Sequence, residues 1–239
     1  MSPHVPRWHV ATPCLLVETD HGLVLVDSGL GVHDHTSPSR MVRGFSLALG
    51  VQRDPSLAAC HQIARLGYTP EAVQHIVLTH LHFDHAGGLP DFPHAQVHLH
   101  RREHDALVHR RGWSALAYDP ADFAHGPRWV LYDTPTIDWL GLDAIRLPFE
   151  PEMYLVPLHG HTLGHCGVAI RDAGGWLFQA ADALPTNAEF DLTPNWLNRL
   201  AIGPHVPRLR AWAAAHPEVR LLAGHVWTRT VAAHVWNGD

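Results

Sequence analysis

The chain contains no lysine, since all 17 of its basic residues are arginine. This absence excludes a Schiff-base lysine, a Walker-type phosphate loop and a Ser-x-x-Lys nucleophile, because each of these sites needs a lysine side chain. Cysteine is scarce too, with 3 residues at positions 14, 60 and 166. An odd number of widely separated cysteines is typical of reduced thiols and argues against a disulfide framework.

Long apolar segments are also missing. The first residues, MSPHVPRWHVATP, lack the apolar run of a secretory signal, and no stretch approaches the length of a transmembrane helix. The sequence therefore predicts a cytoplasmic protein with no membrane partner. It also contains no linker, repeat or low-complexity tract, and 46% of its 239 residues are hydrophobic. We expect a single domain over residues 1–239.

Positive charge is low as well. The formal net charge is −6, and paired arginines occur only in the segment RREHDALVHRR, at residues 101–111. A nucleic-acid partner is therefore not expected, because phosphate binding needs a clustered basic surface. The arginine pairs lie a helical span apart, which predicts a solvated helix face for this segment.

Histidine, in contrast, is abundant, with 23 residues. The run QHIVLT at residues 74–79 predicts a buried strand, and THLHFDHAGG overlaps its end. His80 and His82 project to the same side of an extended segment and can share one metal ion, whereas Asp84 and His85 lie further round the turn and can reach a second. Imidazole and carboxylate suit zinc, iron or manganese. The cluster HxHxDH thus predicts a metal-binding loop.

Two other HxH pairs show how easily this pattern arises in a histidine-rich chain. His33 and His35 lie in GVHDHTS, and His98 and His100 lie in QVHLH. Neither pair has a carboxylate and a third histidine placed behind it as HxHxDH does. The sequence therefore favours a loop for the first pair and a strand face for the second over a metal site.

THLHFDHAGG resembles the signature of the metallo-β-lactamase superfamily, and further segments match that family in order from about residue 14 to residue 225. These are the Asp-x-Gly turn in LVLVDSGLG, then GHTLGH, QAADAL and LAGH. The resemblance implies one ion bound by His80, His82 and His161, a second bound by Asp84, His85 and His225, and a bridging carboxylate from Asp182. It also implies that Asp27 lies under the metals and orients a ligand histidine or its loop. The implied cofactor is two Zn²⁺ per chain, with iron or manganese as alternatives.

Two histidines flank the third histidine of the resemblance. His159 and His165 lie two and four residues from His161, but only His161 has the GHT context that the family shows. We therefore assign His161 as the ligand and expect His165 to pack or hydrogen-bond near the site.

The pattern of elements indicates many strands with helices interspersed, which by itself allows α/β or α+β. Residues 37–54 and 183–203 carry no clear pattern and are expected to cover the site as loops. The resemblance implies an α+β fold, a four-layer αββα sandwich of two mostly antiparallel sheets flanked by helices, with the metals at one edge. The predicted strands are 14–18, 22–26, 74–79, 96–100, 129–133, 153–158, 166–171, 176–180 and 220–223, and the predicted helices are 56–66, 101–109 and 205–215.

The resemblance implies hydrolysis, with a metal-bridging hydroxide as nucleophile and Asp84 as the catalytic group that orients it and carries a proton to the leaving group. Length and motif order are closest to the lactonase-like branch, which opens acyl-homoserine lactones and related rings. A small carboxylic ester or lactone is the expected substrate. Pro185 stands where that branch commonly has a tyrosine, and Asn187 or Tyr154 could replace it. Apolar side chains, Phe83 and Trp196 among them, are expected to line the pocket.

Several alternatives stay open at this stage. A dinuclear site of this kind also cleaves thioesters, β-lactams or phosphoesters, so the fold does not name the substrate. Glyoxalase II has a similar site, but its basic helical C-terminal region is not evident here. Iron-dependent persulfide dioxygenases commonly lack the second-site ligands, whereas this chain has them all, and dioxygen-reducing relatives work with a flavin domain that this chain lacks. Non-catalytic binding modules related to this family lose metal ligands, whereas this chain has lost none. The sequence leaves the oligomeric state open.

Overall fold

The computed structural model describes residues 9–184 and 204–228. Within these ranges the strands form a five-stranded sheet, a six-stranded sheet and a two-stranded pair. The strands are β1 (His9–Ala11), β2 (Leu15–Thr19), β3 (Gly22–Val26), β4 (Val73–Val77), β5 (Gln96–His100), β6 (Arg128–Tyr132), β7 (Ile137–Trp139), β8 (Leu142–Arg146), β9 (Met153–Pro157), β10 (Cys166–Asp172), β11 (Gly175–Gln179), β12 (Val219–Leu222) and β13 (Val226–Thr228). The α-helices are α1 (Val32–Thr36), α2 (Arg40–Leu49), α3 (Ala59–Arg65), α4 (Phe83–Ala86), α5 (Arg101–His109), α6 (Pro120–Phe123) and α7 (Val206–Ala215).

The five-stranded sheet has the order β2-β3-β4-β5-β6. Its first pair is the predicted antiparallel hairpin, but the other three neighbouring pairs are parallel. The prediction of mostly antiparallel pairing is wrong for this sheet. Helices lie in each connection from β3 through β6, and such a crossover returns the chain to the same end of the sheet.

The six-stranded sheet has the order β12-β11-β10-β9-β8-β7 and is antiparallel except where β12 runs parallel to β11. Two-residue turns join β7 to β8 and β10 to β11. Between β7 and β8, Leu140 and Gly141 both have positive φ, 53° and 81°, as a two-residue hairpin turn requires. The strands β1 and β13 pair separately, also antiparallel.

Side chains alternate along the strands and build three apolar layers. Val24 and Val26 face the six-stranded sheet and join its Leu155 and Val168 in a core between the sheets. Leu23 and Leu25, on the opposite face of the same strand, pack in the layer that contains residues of α3 and α5. The far face of the six-stranded sheet packs against α7 through Leu209 and Trp212. This order of helix, sheet, sheet and helix confirms the predicted sandwich.

Residues 37–54 were predicted to form an irregular cover loop, but part of this segment forms helix α2. Ser39 caps its first turn, with its hydroxyl oxygen accepting from the amide of Val42 at 3.2 Å. Gly50 ends it in the left-handed conformation, φ 68°. The other segment expected to cover the site, residues 183–203, lies mostly outside the described residues. None of the helices in the described ranges has the length and apolar character needed to cross a bilayer. The three cysteines are free, as predicted.

The ligand segments all follow strands that end at one edge of the sandwich. The HxHxDH loop follows β4, and the segments with His161, Asp182 and His225 follow β9, β11 and β12. These last three strands run in the same direction within their sheet. The amide of Cys166 donates to the carbonyl of Thr79 at 3.0 Å and joins the two sheets at this edge.

The pair His98 and His100 lies in β5, as predicted, and both side chains are buried. His98 is buried, with its ring nitrogens 3.0 Å from His75 Nδ1 and 2.8 Å from the Tyr132 hydroxyl. Burial lowers the pKa of His98 to about 3. In the unfolded chain this imidazole titrates near its ordinary value of about 6.5.

We expect this depressed pKa to make folding sensitive to acid. Between about pH 6.5 and 3 the unfolded chain binds a proton at position 98 that the folded chain does not, so the free energy of unfolding falls as pH falls, by at most about 1.4 kcal/mol per pH unit for this group. Urea unfolding of wild type and His98→Gln at equal metal content, from pH 7 to 4, should give a shallower dependence for the variant. Identical slopes would contradict this account.

Candidate metal centre

The HxHxDH loop takes two conformations in succession. After β4 the backbone is extended at His82, with φ −64° and ψ 146°, and then α4 begins at Phe83. Asp84 and His85 therefore sit in the first turn of a helix and not in line with the two preceding histidines. This change of geometry lets one short loop serve two groups of ligands.

The first group combines both sheets. Ligand atoms of four side chains, one from each, lie within 4.8 Å of one another: His80, His82, His161 and Asp182. His161 Nε2 is 3.0 Å from His82 Nδ1 and 3.2 Å from Asp182 Oδ2. All four residues are buried, at 8% exposure or less.

The second group lies beside the first. Ligand atoms of Asp84, His85 and His225 also lie within 4.8 Å of one another. Asp182 Oδ1 is 3.3 Å from His85 Nε2 and 3.4 Å from His225 Nε2. The two oxygens of the Asp182 carboxylate therefore face different groups, which is the arrangement of a bridging ligand.

The inward-facing atoms of this centre fit metal ions. His80 Nε2, His85 Nε2 and Asp182 Oδ1 are inaccessible to solvent and have no hydrogen-bond partner within the described structure. Buried polar atoms are normally paired, so atoms that converge without hydrogen bonds indicate a site for a cation. Imidazole nitrogens and carboxylate oxygens are ligands that zinc, iron and manganese accept.

The outward-facing nitrogens of the same histidines are held by the protein. His80 Nδ1 is 3.1 Å from the Thr79 hydroxyl, and His82 Nε2 is 3.2 Å from the Ser114 carbonyl oxygen. His225 Nδ1 lies 3.3 Å from the Thr12 hydroxyl. Such contacts fix the orientation of each ring and leave the other nitrogen free to bind a metal.

Asp27 lies beneath the centre, at the end of β3. Its Oδ2 is 2.9 Å from His85 Nδ1, and its carboxylate also accepts from the amide and the hydroxyl of Thr79, at 2.8 and 2.9 Å. The residue is fully buried, with a positive φ of 54° that few non-glycine residues adopt. The structure thus brings Asp27 into contact with both a ligand histidine and the start of its loop.

Histidines of the two groups have pKa values shifted in opposite directions. Burial, aided by neighbouring imidazoles, lowers the pKa of His82 to about 3 and that of His80 well below its ordinary value. Burial acts in the same direction on His85 and His225, but the carboxylates of Asp182 and Asp84 outweigh it and raise the pKa of both rings. A metal at the second group must therefore displace protons, so its affinity falls as pH falls.

His165 is buried between the ligands without facing them. Its Nδ1 is 3.2 Å from the Leu158 carbonyl oxygen, and its Nε2 accepts from the amide of Asp182 at 3.2 Å. Both ring nitrogens are used, which agrees with the expectation that this residue hydrogen-bonds near the site. It holds the backbone that carries the Asp182 carboxylate.

Glu103 is the residue that sequence reasoning missed. Its segment was predicted to be a solvated helix face, but the side chain is fully buried at the start of α5. Oε1 accepts from the Leu81 amide at 3.1 Å and the Tyr118 hydroxyl at 2.8 Å, while Oε2 accepts from the Thr162 hydroxyl at 2.7 Å and the Gly164 amide at 2.8 Å. One carboxylate thus joins the HxHxDH loop to the His161 loop. The only available signal was an acidic residue in the first turn of a predicted helix.

The residues predicted to line the pocket lie in different parts of the structure. Phe83 is buried in α4, and its ring centroid lies 5.3 Å from that of Phe45 in α2. Tyr154 lies in the outer apolar layer, where its ring packs on Trp176 and its hydroxyl donates to Glu152. It stands at the start of β9, whereas the His161 loop follows the end of that strand, so its assignment to the pocket is corrected. Three further positions lie outside the described residues: Pro185, Asn187 and Trp196.

The family model of the metallo-beta-lactamase superfamily matches residues 8–225. The chain belongs to the metallo-beta-lactamase superfamily. A relative named "Probable metallo-hydrolase" in Mycobacterium tuberculosis is 39% identical over 173 residues, which cover 71% of this chain. That match spans 55% of the relative, so this chain corresponds to little more than half of its length. An N-acyl homoserine lactonase of Bacillus cereus is 26% identical over 193 residues, covering 79% of this chain and 68% of that protein.

Solved structures show the same fold. An N-acyl homoserine lactone hydrolase with N-hexanoyl-L-homoserine bound at its catalytic metal centre superposes with a TM-score of 0.65 at 22% identity, covering 89% of this chain and 80% of that one. A dizinc quorum-quenching lactonase superposes with a TM-score of 0.64 at 20% identity, covering 91% and 73%. At these identities the likeness concerns the fold.

We expect Glu103→Gln to weaken the link between the two ligand loops. Whichever way the amide is turned, its NH₂ group faces a backbone amide that can only donate, and leaving such a buried donor unpaired costs about 1–3 kcal/mol. Urea unfolding should show this loss, and competition with a chelator should show weaker metal retention. Asp105→Asn, on the exposed side of the same helix, is the matched control. Equal stability and metal retention in all three proteins would show that Glu103 has no positioning role.

Proposed function

We propose that the chain is a metal-dependent hydrolase of small carboxylic esters or lactones, with a dinuclear centre formed by the seven predicted ligands. The observation that carries this proposal is the Asp182 carboxylate, whose two oxygens face separate groups of imidazoles. Zinc is the proposed metal, with iron or manganese as alternatives, because every ligand is imidazole or carboxylate. We further propose that the sandwich acts as one domain, since ligands from both sheets complete the centre.

When bound, a pair of such ions supplies Lewis acidity and lowers the pKa of a coordinated water. The chain's own contribution is to hold the ligands in place through Asp27, Glu103 and His165. Their hydrogen bonds are buried, so the imidazoles and carboxylates need little reorganisation when the substrate arrives.

Asp84 is the proposed catalytic carboxylate. Its side chain is 25% exposed, compared with 10% for His161, 9% for Asp182 and 16% for His225. It is therefore the ligand most open to an incoming substrate. Asp84 Oδ2 lies 3.6 Å from His225 Nε2. From this position its carboxylate accepts the proton of the attacking water and returns it to the leaving oxygen, as a general base and then a general acid.

Apolar side chains close to the centre support an uncharged, partly apolar substrate. Phe45, 44% exposed, packs on the buried Phe83 of the metal loop. Leu163, 39% exposed, lies in the His161 loop, and the adjoining segment that carries the His82 partner Ser114 exposes Trp113. Side chains of this kind bind an acyl chain through burial of apolar surface. The lactonase relatives and structural neighbours support the same class of substrate, a small molecule with a lactone or ester bond.

Asp84→Asn tests the catalytic role. Asparagine keeps an oxygen ligand but cannot accept and return a proton, so kcat for ester hydrolysis should fall by a factor of about 10²–10⁴ while metal content changes little. Elemental analysis and steady-state kinetics on the same preparations measure both quantities. Asp105→Asn provides the surface control. Near-normal kcat in a metal-loaded Asp84→Asn enzyme would remove Asp84 from the mechanism.

A substrate panel tests the specificity. Uncharged lactones and esters with apolar acyl chains should be cleaved faster than bis-aryl phosphodiesters under matched metal loading. Phe45→Ala should raise KM for a long-chain lactone with little change in kcat, because it removes apolar contact made equally in the ground and transition states. Leu47→Ala, on the same helix and 78% exposed, is the control. A preference for the phosphodiester would refute the proposed substrate class.

A further inference from the structure

A separate cluster of metal-type ligands lies in the short helices α1 and α6, and it shares no residue with the candidate metal centre. We call it the His33 cluster; it consists of His33, Asp34 and Asp122. Ligand atoms of these three side chains lie within 4.8 Å of one another. His33 Nε2 is 3.2 Å from Asp34 Oδ1 and 3.2 Å from Asp122 Oδ1.

Most polar atoms of this cluster are buried but have no hydrogen bond to another described residue. Asp34 is 1% exposed and Asp122 is 0% exposed. Both oxygens of Asp122, Oδ1 of Asp34 and both ring nitrogens of His33 are inaccessible and have no hydrogen-bond partner in the described structure. Leaving a buried carboxylate without hydrogen bonds is strongly unfavourable, so such oxygens are rare unless they bind an ion.

The charges of the cluster do not balance either. One imidazole, even when protonated, cannot neutralise two buried carboxylates. Asp119 adds to the excess: one of its oxygens accepts from the Ala121 amide at 3.1 Å, but its Oδ2 is buried without a partner among the described residues. A divalent cation would supply the missing positive charge.

We propose that His33, Asp34 and Asp122 bind a divalent transition-metal ion at a site additional to the dinuclear centre. One imidazole and two carboxylates form a nitrogen and oxygen ligand set that suits zinc or manganese. His33 Nε2 has at most one hydrogen, yet it lies equally close to two carboxylate oxygens and has hydrogen-bond geometry with neither. Three ligand atoms that converge in this way favour a metal over a hydrogen bond.

The alternative is a shared proton. Burial, together with the charge of Asp122, raises the pKa of Asp34 to about 7, and burial raises that of Asp122 to about 6. Near neutral pH a carboxyl of the pair can therefore hold a proton when no cation is present. Metal binding would release that proton, so the two states differ in metal content and can be told apart.

The position of the cluster indicates a structural role. Asp34 Oδ2 accepts from the Gly31 amide at 2.9 Å and lies against Gly87, two residues after the ligand His85. A Cβ on Gly87 would come within 2.3 Å of this oxygen, and one on Gly31 would come within 2.3 Å of the Gly87 carbonyl oxygen. An ion here would tie α1 and α6 to the backbone behind the metal loop. The His33 side chain is 30% exposed, so the cluster lies near the protein surface.

Metal counting on variants tests the site. Wild type, His33→Gln and Asp122→Asn are dialysed against excess Mn²⁺ and then against metal-free buffer, with His109→Gln and Asp105→Asn as exposed controls of the same chemistry. Elemental analysis should show one equivalent less in the two cluster variants than in wild type and the controls. Mn²⁺ addition should also raise Tm further in wild type than in the cluster variants, because an ion that binds only the folded state stabilises it.

Electron paramagnetic resonance of the Mn²⁺-loaded wild type gives a test that needs no variant. An isolated ion gives a resolved hyperfine pattern distinct from the coupled spectrum of a dinuclear centre, and we expect one isolated ion per chain. Absence of that signal at saturation, or equal metal content in wild type and folded cluster variants, would overturn the proposal in favour of the shared proton. The result is independent of hydrolysis, since an inactive chain can still hold this ion.

Discussion

Hydrogen bonds accepted by two buried carboxylates, Asp27 and Glu103, hold the loops of the candidate metal centre in place, and the rest of the site depends on them. Asp27 joins the end of β3 to Thr79 and to the ligand His85. Glu103 joins Leu81, in the same loop, to the segment that follows His161. Because the ligands come from two different sheets, apolar packing alone would place them only approximately. Charge-assisted hydrogen bonds are short and directional, and they remove that freedom.

As a consequence of this arrangement, many imidazole and carboxylate groups are buried close together. Loss of hydration and the neighbouring imidazoles lower the pKa of His82, whereas the carboxylates of Asp182 and Asp84 outweigh burial and raise the pKa of His85. In the proposed metal-bound state, cations pair with the buried atoms that hydrogen bonds leave unsatisfied. The same physical reasoning applies to the proposed dinuclear centre and to the His33 cluster, although the two use different elements of the fold.

Helices around the candidate centre carry apolar side chains next to the predicted metal ligands. Helix α2 brings Phe45 onto Phe83, the residue between two predicted ligands of the metal loop. The turn after α5 carries Ser114, which contacts His82, and its neighbour Trp113 is 54% exposed. Apolar surface therefore adjoins the polar ligands directly. A substrate with an ester or lactone bond and an apolar chain matches both features.

The sequence by itself determined the features that depend on residues close together along the chain. The spacing of HxHxDH placed Asp84 and His85 apart from His80 and His82, and the predicted bounds of β5 and α5 match the observed ones. Only the tertiary structure decided which distant residues meet. In the folded chain, Tyr154 lies in the outer apolar layer, and Glu103 is buried although its helix was predicted to be solvated. Asp122 lies next to His33. Burial and pairing across sheets depend on the direction of each crossover, and local sequence patterns do not encode that direction.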